Sequence, residues 1–203
     1  MASLPVYLFG DQHQKGLVYT NDERDKVNPV KPYPDRPHLR FFAGLWEDPN
    51  VDNLVVVKSR QLMLSWGGAA HFSWEAEKPG QRFLISCKKL DDADALLERI
   101  WFIRERIPNP LRAPATRKEG LITIHHELAP TYIHAAAQDT ESARSYTFSR
   151  AWVDEASFTD NLSDFLAALT PTTMNGGKLL LTTTPNGRDT IYRLASDNGR
   201  LEL

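Results

Sequence analysis

Residues 54–66, LVVVKSRQLMLSW, join an apolar run to a polar segment, and this order restricts the possible folds more than any other stretch. Four apolar residues, three of them β-branched valines, predict a strand buried on both faces in the centre of a parallel sheet. A polar turn follows at 58–61, and the segment from 65 to about 77 predicts a helix. A strand, a polar turn and a helix that opens on a hydroxyl residue form the layout of a phosphate-binding loop.

The usual loop has the pattern G-x-x-x-x-G-K-[ST], in which glycines let backbone N–H groups wrap the phosphates, the lysine reaches the β- and γ-oxygens, and the hydroxyl binds Mg²⁺. On this pattern Lys58 takes the first position and Ser65 the last. Met63 and Leu64 stand where glycine and lysine are expected. The lysine has therefore moved to the strand end of the loop, from which its long side chain can still reach the phosphates, and Arg60 adds a second cation. A core strand that leads into an amphipathic helix remains the alternative for this stretch by itself.

A second stretch, SRAWVDEA at 149–156, ends a short apolar run on two adjacent acids, Asp154 and Glu155. An aspartate at the end of a buried strand can hold Mg²⁺ through water, and the glutamate after it can orient or deprotonate an attacking water. This is the division of labour that a phosphohydrolase needs.

A third stretch, LLLTTTPNG at 179–187, predicts an apolar strand that ends in three threonines and a turn. Hydroxyls at a strand tip can sense whether a γ-phosphate is present. The candidates for this role are Thr182, Thr183 and Thr184.

The segments KSRQLMLSW, RAWVDEAS and TTTPNG, in this order, resemble the N-terminal ATPase domain of the large terminase subunit of tailed bacteriophages. The resemblance covers roughly residues 33–192, and some members of that family carry the loop lysine at the start of the loop, as Lys58 does here. It implies a motor domain that hydrolyses ATP to move double-stranded viral DNA into a procapsid. It also implies as partners the portal protein, the small terminase subunit and further copies of the chain in a ring, all in the host cytoplasm and away from membranes.

The resemblance also implies roles for individual residues. Glu155, Arg144 and Arg60 would be catalytic, and Arg144 would act as an arginine finger on the nucleotide of the neighbouring subunit. Family patterns often have glycine after this arginine, where Ser145 stands, and an ion pair of Arg144 with Glu141 or Asp139 on the surface is the alternative. Ser65 and Asp154 would hold Mg²⁺, and Thr182 to Thr184 would couple phosphate loss to movement. The ATP-binding residues would be Lys58, Ser59, Arg60, Gln61, Leu62, Met63, Leu64, Ser65 and Trp66.

Contacts to the adenine are expected just before the phosphate loop, where family members often use a glutamine. No glutamine stands at the start of the helix predicted for 38–46, so His38 or Arg40 takes its place as a candidate. Tyr33, Pro34 and Phe41 are candidates for packing on the base. A helix that only covers the sheet is the alternative for all five.

Strands that alternate with amphipathic helices predict an α/β fold of three layers, with a mainly parallel central sheet flanked by helices. The glutamate directly after the acidic aspartate suits the additional-strand (ASCE) type of P-loop NTPase. Other predicted elements are a strand at 82–87, helices at 91–106 and 158–169, and a hairpin formed by 120–126 and 131–137. Residues 1–32 are expected to be an N-terminal extension and 33–203 the ATPase domain, without the family's nuclease domain.

Composition narrows the function classes further. A net charge of −2 gives no bulk attraction to DNA, so any DNA contact must come from local patches. The single cysteine, Cys87, cannot form an intrachain disulfide. Two alternative functions remain: another ASCE helicase or translocase domain, or a catalytically weak nucleotide-binding module. The intact pair of Asp154 and Glu155 argues against the weak module, because a decayed site has no need of a water-activating glutamate.

Overall fold

The computed structural model describes residues 3–173 and 176–196. Residues 1–2 of the predicted extension, and 174–175 and 197–203 of the predicted ATPase domain, lie outside the described residues. The helices are α1 (Leu4–Phe9), α2 (Pro37–Glu47), α3 (Leu64–Glu75), α4 (Leu90–Arg106), α5 (Thr140–Arg144), α6 (Leu162–Thr173) and α7 (Thr190–Ser196). The strands are β1 (Tyr19–Asn21), β2 (Val30–Pro32), β3 (Asn53–Val57), β4 (Arg82–Cys87), β5 (Ala115–Lys118), β6 (Leu121–Ile124), β7 (Thr131–Ala137), β8 (Arg150–Asp154) and β9 (Lys178–Thr183).

Seven strands form one mainly parallel sheet in the order β3-β9-β8-β4-β7-β6-β5. The first five strands in this order are parallel to one another, while β6 runs antiparallel to both β7 and β5. β1 and β2 form a separate antiparallel pair. β9, the last strand of the described residues, is inserted between β3, which precedes the loop, and β8, which ends on the acidic pair. The predicted α/β fold with a mainly parallel central sheet is confirmed.

The prediction that residues 54–57 form a central strand buried on both faces was wrong. β3 lies at the end of the seven-stranded sheet, where β9 pairs with it on one side, and its residues are partly or largely exposed. A valine-rich run favours any parallel strand, central or not. Its lateral position depends on which other strands pair with it, and local sequence does not contain that information.

Helices cover both faces of the sheet, because alternate residues of each central strand point to opposite sides. On one face Phe83, Ile85, Trp152 and Leu180 join the core cluster formed with α1, α2, α3 and α4. On the other face a second cluster contains sheet residues of the opposite parity and residues of α5, α6 and α7. The side chains of β4, β8 and β9 alternate between the two faces of the sheet, and each face packs against its own layer of helices.

Two adjacent glycines inside α3 let this helix approach the sheet closely. A Cβ on Gly68 would lie 2.9–3.1 Å from the ring of Trp152, which is fully buried on β8. A Cβ on Gly67 would lie 2.6 Å from the hydroxyl of Tyr33. Glycine in a helix interior lowers helix stability by about 1 kcal/mol relative to alanine. The presence of two glycines here is therefore explained by close tertiary packing and not by helix propensity. The close contact also brings the first turn of α3 next to the end of β8.

The first part of the chain packs onto the same core. Leu4, Tyr7, Leu8 and Val18 are buried in the cluster that contains α2 and α3. The hydroxyl of Tyr7 lies 3.0 Å from that of Ser73 on α3. The boundary predicted at residue 32 stays a prediction, but α1 is integrated into the helical layer above β8.

Most other element predictions are confirmed, with shifts at the ends. The predicted strand at 82–87 and the helices at 38–46 and 91–106 correspond to β4, α2 and α4, and the predicted hairpin is the antiparallel pair of β6 and β7. β5 was missed, because prolines before it favour a loop. α6 begins at Leu162 instead of 158, since Ala156–Phe158 forms a 3-10 turn. No helix in ranges 3–173 and 176–196 is both long and apolar enough to cross a membrane.

Candidate active site

Three neighbouring parallel strands end at the same side of the sheet, and the predicted site residues follow their carboxyl ends. Lys58 comes directly after β3, Asp154 is the last residue of β8, and Thr183 is the last residue of β9. Ligands of open α/β sheets bind at this end of the strands. The order β3-β9-β8 therefore brings together the three stretches that are separate in sequence.

The loop between β3 and α3 retains a left-handed backbone without glycine. Met63, at the position where the usual pattern has its second glycine, has φ 63°, and Gln61 has φ 67°. Left-handed backbone costs a residue with a side chain about 1–2 kcal/mol. Leu64, at the usual lysine position, is buried in the core. The loop thus has left-handed backbone at two residues that carry side chains, and the position of the usual lysine is apolar and buried.

The ammonium group of Lys58 reaches the acidic pair from the strand end of the loop. Its side chain is only 8% exposed, and Nζ lies 3.4 Å from Oε1 of Glu155 and 3.9 Å from Oδ1 of Asp154. Its backbone N–H donates to the carbonyl of Thr183 at 2.8 Å, which continues the pairing of β3 with β9. A buried cation therefore stands between the loop and both carboxylates.

Hydroxyl groups of neighbouring elements hold the Asp154 carboxylate in place. The hydroxyl of Thr182 donates to Oδ1 at 2.5 Å, and that of Ser65 donates to Oδ2 at 3.3 Å. The indole N–H of Trp152 in turn donates to the Thr182 hydroxyl at 2.7 Å. This relay is buried, so the carboxylate has little freedom to rotate. The adjacent oxygens of Ser65 and Asp154 are of the type that Mg²⁺ prefers.

Glu155 is held differently from its neighbour. Its backbone is left-handed, with φ 51°, and its side chain is 44% exposed. The hydroxyl of Thr184 donates to Oε2 at 3.2 Å. One carboxylate of the pair is thus fixed and buried, while the other is oriented but open to solvent.

The three threonines make different contacts, although the sequence pattern predicts one shared role for them. The Thr182 hydroxyl serves Asp154, as described above, and that of Thr183 donates to the carbonyl of Thr184 and accepts from the N–H of Ser157. Only Thr184 places its hydroxyl on Glu155. Local sequence contains no signal for this division, because it depends on the register of β9 against β8.

The two arginines of the predicted catalytic set lie on the surface. Arg60 is exposed in the loop, and Arg144 is exposed at the end of α5. Within residues 3–173 and 176–196 neither has an ion pair with a carboxylate, so the surface pair of Arg144 with Glu141 or Asp139 is not observed. The Asp139 side chain instead caps α5 through the N–H of Ser142 at 2.7 Å.

Comparison with known structures identifies the fold. No protein-family model and no curated protein matches this sequence. Among solved structures, the chain is similar to the Thermus phage P74-26 large terminase ATPase domain, with 18% identity, TM-score 0.68, and coverage of 80% of this chain and 69% of that one. The HK97 bacteriophage large terminase has 12% identity and TM-score 0.69, with coverage of 85% and 38%. A large terminase from a thermophilic bacteriophage, in complex with ADP, has 15% identity and TM-score 0.57, with coverage of 76% and 40%.

The chain has the fold of a large-terminase ATPase domain. The predicted resemblance is confirmed at this level, over most of the chain. The chain spans less than half of the two longer terminase chains.

Within this terminase-like fold, the structure brings only one of the five predicted adenine residues to a cavity beside the loop. Tyr33 is buried, and its hydroxyl donates to the carbonyl of Met63 at 3.4 Å. Arg40 is bound to Asp35 through two bonds of 2.6 Å. His38 and Phe41 are exposed on α2, whereas Pro34 lines the cavity.

The cavity measures about 660 Å³ and lies between the β3–α3 loop and the β1–β2 pair. Trp66 and Arg99 contribute to one wall, where the guanidinium of Arg99 lies 5.6 Å from the ring centroid of Trp66. The remaining lining residues are Thr20, Asn21, Asp22, Glu23, Arg24, Lys31, Pro32, Pro34, Arg36, Gln61 and Met63. The sequence did not predict this cavity, because nothing local indicates that residues 19–32 dock beside the loop.

Proposed function

We propose that this chain is the ATPase domain of a viral DNA-packaging motor, which hydrolyses ATP to translocate double-stranded DNA into a procapsid. The observation that carries the proposal is the meeting of a buried lysine, a hydroxyl and two adjacent carboxylates at the carboxyl end of the sheet. A phosphoanhydride hydrolase needs a cation for the phosphates, oxygen ligands for a metal and a base for water. Lys58, Ser65, Asp154 and Glu155 supply these functions.

The β- and γ-phosphates would lie in the loop, where Lys58 neutralises their charge and backbone N–H groups of residues 59–66 donate to their oxygens. Arg60 would approach from the exposed side as a second cation. Phosphate oxygens would compete with Glu155 for the Lys58 ammonium, which lies 3.4 Å from that carboxylate. This competition would leave Glu155 available to a water molecule.

Ser65 and Asp154 would hold Mg²⁺, the serine directly and the aspartate through water. The metal, when bound, would supply positive charge next to the β- and γ-phosphate oxygens. The hydrogen bonds from Thr182 and Ser65 fix the Asp154 carboxylate in advance, so no reorientation is needed when substrate binds.

Glu155 would orient and deprotonate the attacking water, because it is the more exposed carboxylate of the pair. Thr184 would report loss of the γ-phosphate, since its hydroxyl and backbone N–H both face the Glu155 carboxylate, at 3.2 and 3.4 Å. Thr182 and Thr183 would transmit this change through their bonds to β8 and the segment after it. All three would thereby couple hydrolysis to movement.

The nucleoside would occupy the cavity of about 660 Å³ beside the loop. Trp66 offers an aromatic surface there, and polar groups of the β1–β2 pair face it from the other side. Structures of the large terminase from a thermophilic bacteriophage with ADP and with ATP-gamma-S support nucleotide binding by proteins of this fold.

Arg144 would act on the nucleotide of the next subunit in a ring. Its exposure at the end of α5, without a carboxylate partner among the described residues, supports a role in trans. The ring would engage the portal protein, the small terminase subunit and viral DNA at the procapsid in the host cytoplasm.

A mixing experiment tests the proposal. Glu155→Gln lacks the base but keeps the arginine, and Arg144→Ala keeps the base but lacks the arginine. Each alone should be inactive at high protein concentration, whereas a 1:1 mixture should recover up to roughly a quarter of the wild-type ATPase rate, the share of complete interfaces in randomly mixed rings.

The control is the double variant Glu155→Gln/Arg144→Ala, which should rescue neither single variant. A mixture that stays inactive while concentrated wild type hydrolyses ATP would contradict the role of Arg144 in trans. Wild type that binds ATP without hydrolysing it at any concentration would favour the nucleotide-binding module. A rate per subunit that is independent of concentration would contradict the need for a ring.

A further inference from the structure

Gln138 connects three elements at the carboxyl end of the sheet. It follows β7 directly, and its backbone N–H donates to the carbonyl of Cys87 at 3.0 Å. Its side-chain Nε2 donates to the carbonyl of Asp154 at 3.1 Å and to that of Ser86 at 3.4 Å. Its Oε1 accepts from the hydroxyl of Thr159 at 2.5 Å. One amide thus contacts the ends of β4 and β8 and the segment after β8.

The chemistry of the partners fixes the orientation of this amide. Two backbone carbonyls can only accept hydrogen bonds, so the NH₂ group must face them. Both N–H bonds are then used, and the oxygen is used by Thr159. Gln138 therefore has no free donor for a substrate, and any effect on hydrolysis must pass through the groups that it holds.

These bonds clamp both ends of the turn that carries Glu155. The carbonyl of Asp154 lies immediately before Glu155, and Thr159 lies after the 3-10 turn Ala156–Phe158. Glu155 itself has left-handed backbone, φ 51°, which a residue with a side chain adopts at a cost. A clamp on both sides stabilises this conformation and thereby the direction of the carboxylate.

The next residue begins the segment that carries Arg144. Asp139 caps α5 by accepting from the N–H of Ser142 at 2.7 Å, and α5 ends at Arg144. We propose that Gln138 is a positioning residue that locks the Glu155 turn to α5, so that the water-activating group and the trans-acting arginine of one subunit move together. This inference rests on the proposed function of those two residues.

The first arm of the test is steady-state ATPase kinetics of the full chain at high protein concentration. Gln138→Ala should lower kcat about tenfold, the scale of losing one or two hydrogen bonds, and leave KM for ATP within about threefold because the phosphate loop is not touched. Gln138→Glu keeps the length and the acceptor but loses both donors, so it should be no better. Gln81→Ala, at the opposite end of β4, is the matched control and should change neither constant.

The second arm is amide hydrogen exchange, which needs no enzymatic activity. Gln138→Ala should speed exchange in two segments, residues 139–145 and 155–160, while the strands and α3 keep wild-type protection. Gln81→Ala should leave both segments unchanged.

Faster exchange throughout the sheet, with kcat and KM changed together, would indicate a general structural role and overturn the proposal. Faster exchange in only one of the two segments would also overturn it, because the link requires both. Wild type without ATPase activity would count against the proposed function, while the exchange arm would still decide whether Gln138 joins the two segments.

Discussion

The β3–α3 loop and the acidic ends of the strands supply the groups of the proposed ATP site by opposite means. The loop departs from the usual residue pattern at both glycines and at the lysine, yet it has left-handed backbone at Met63 and presents an ammonium from Lys58. The acidic side keeps the expected residues, and buried hydrogen bonds through Thr182 and Trp152 fix one of them, Asp154.

The difference follows from the reach of the groups involved. A lysine side chain spans several ångströms, so its charge can be delivered from more than one chain position. A short carboxylate that must hold a metal can only be positioned by the strand that carries it and by its immediate neighbours. On the proposed function, the loop can therefore receive its cation from another chain position, whereas the acidic pair depends on the register of β8 against β9.

The largest expected effect tests the acidic side. Glu155→Gln keeps the shape and the contact with Thr184 but cannot accept a proton, so kcat should fall about 10²- to 10⁴-fold. Nucleotide affinity should stay within a few-fold of wild type, as measured by titration with ATP under conditions without turnover. Glu127→Gln, an exposed position, is the control. Full activity of Glu155→Gln would assign water activation to another residue.

A smaller effect is expected on the loop side, where the relocated lysine is tested against its exposed neighbour. Lys58→Ala should weaken ATP binding roughly 10- to 100-fold, which is the loss of affinity expected when one charge-assisted hydrogen bond to phosphate is removed. Arg60→Ala should weaken it less, because that side chain is exposed and more strongly screened. Binding measured by titration at two salt concentrations separates the two. A larger loss for Arg60→Ala would transfer the main phosphate role to Arg60.

The smallest effect concerns the backbone of the loop. Gln61→Gly should stabilise the protein by about 0.5–1 kcal/mol in urea unfolding, because glycine adopts the left-handed conformation freely and the exposed side chain buries little. Met63→Gly should be close to neutral, since it also removes a partly buried side chain that packs on the core. Gln61→Ala, which keeps a Cβ, should not share the gain. Clear destabilisation by Gln61→Gly would contradict a left-handed residue there.

Prediction from sequence succeeded where local periodicity decides structure. β4 corresponds to the predicted strand, and the pair β6–β7 to the predicted hairpin, because apolar alternation and turns are encoded within a few residues. It failed for β3, whose valines predicted a central strand although it lies at the end of the sheet. The docking of β1 and β2 beside the loop was not predicted either, since it depends on contacts with distant residues.

By itself, the sequence determined the α/β class, the strand–turn–helix layout of the loop and the identity of the acidic pair, because these follow from side-chain chemistry and short-range periodicity. Tertiary packing places β9 between β3 and β8, brings Lys58 to Glu155 and sets the bond from Thr182 to Asp154. The partners in these contacts are 28 to 126 residues apart along the chain, and strand pairing and helix packing over such separations select one arrangement from many that local sequence allows.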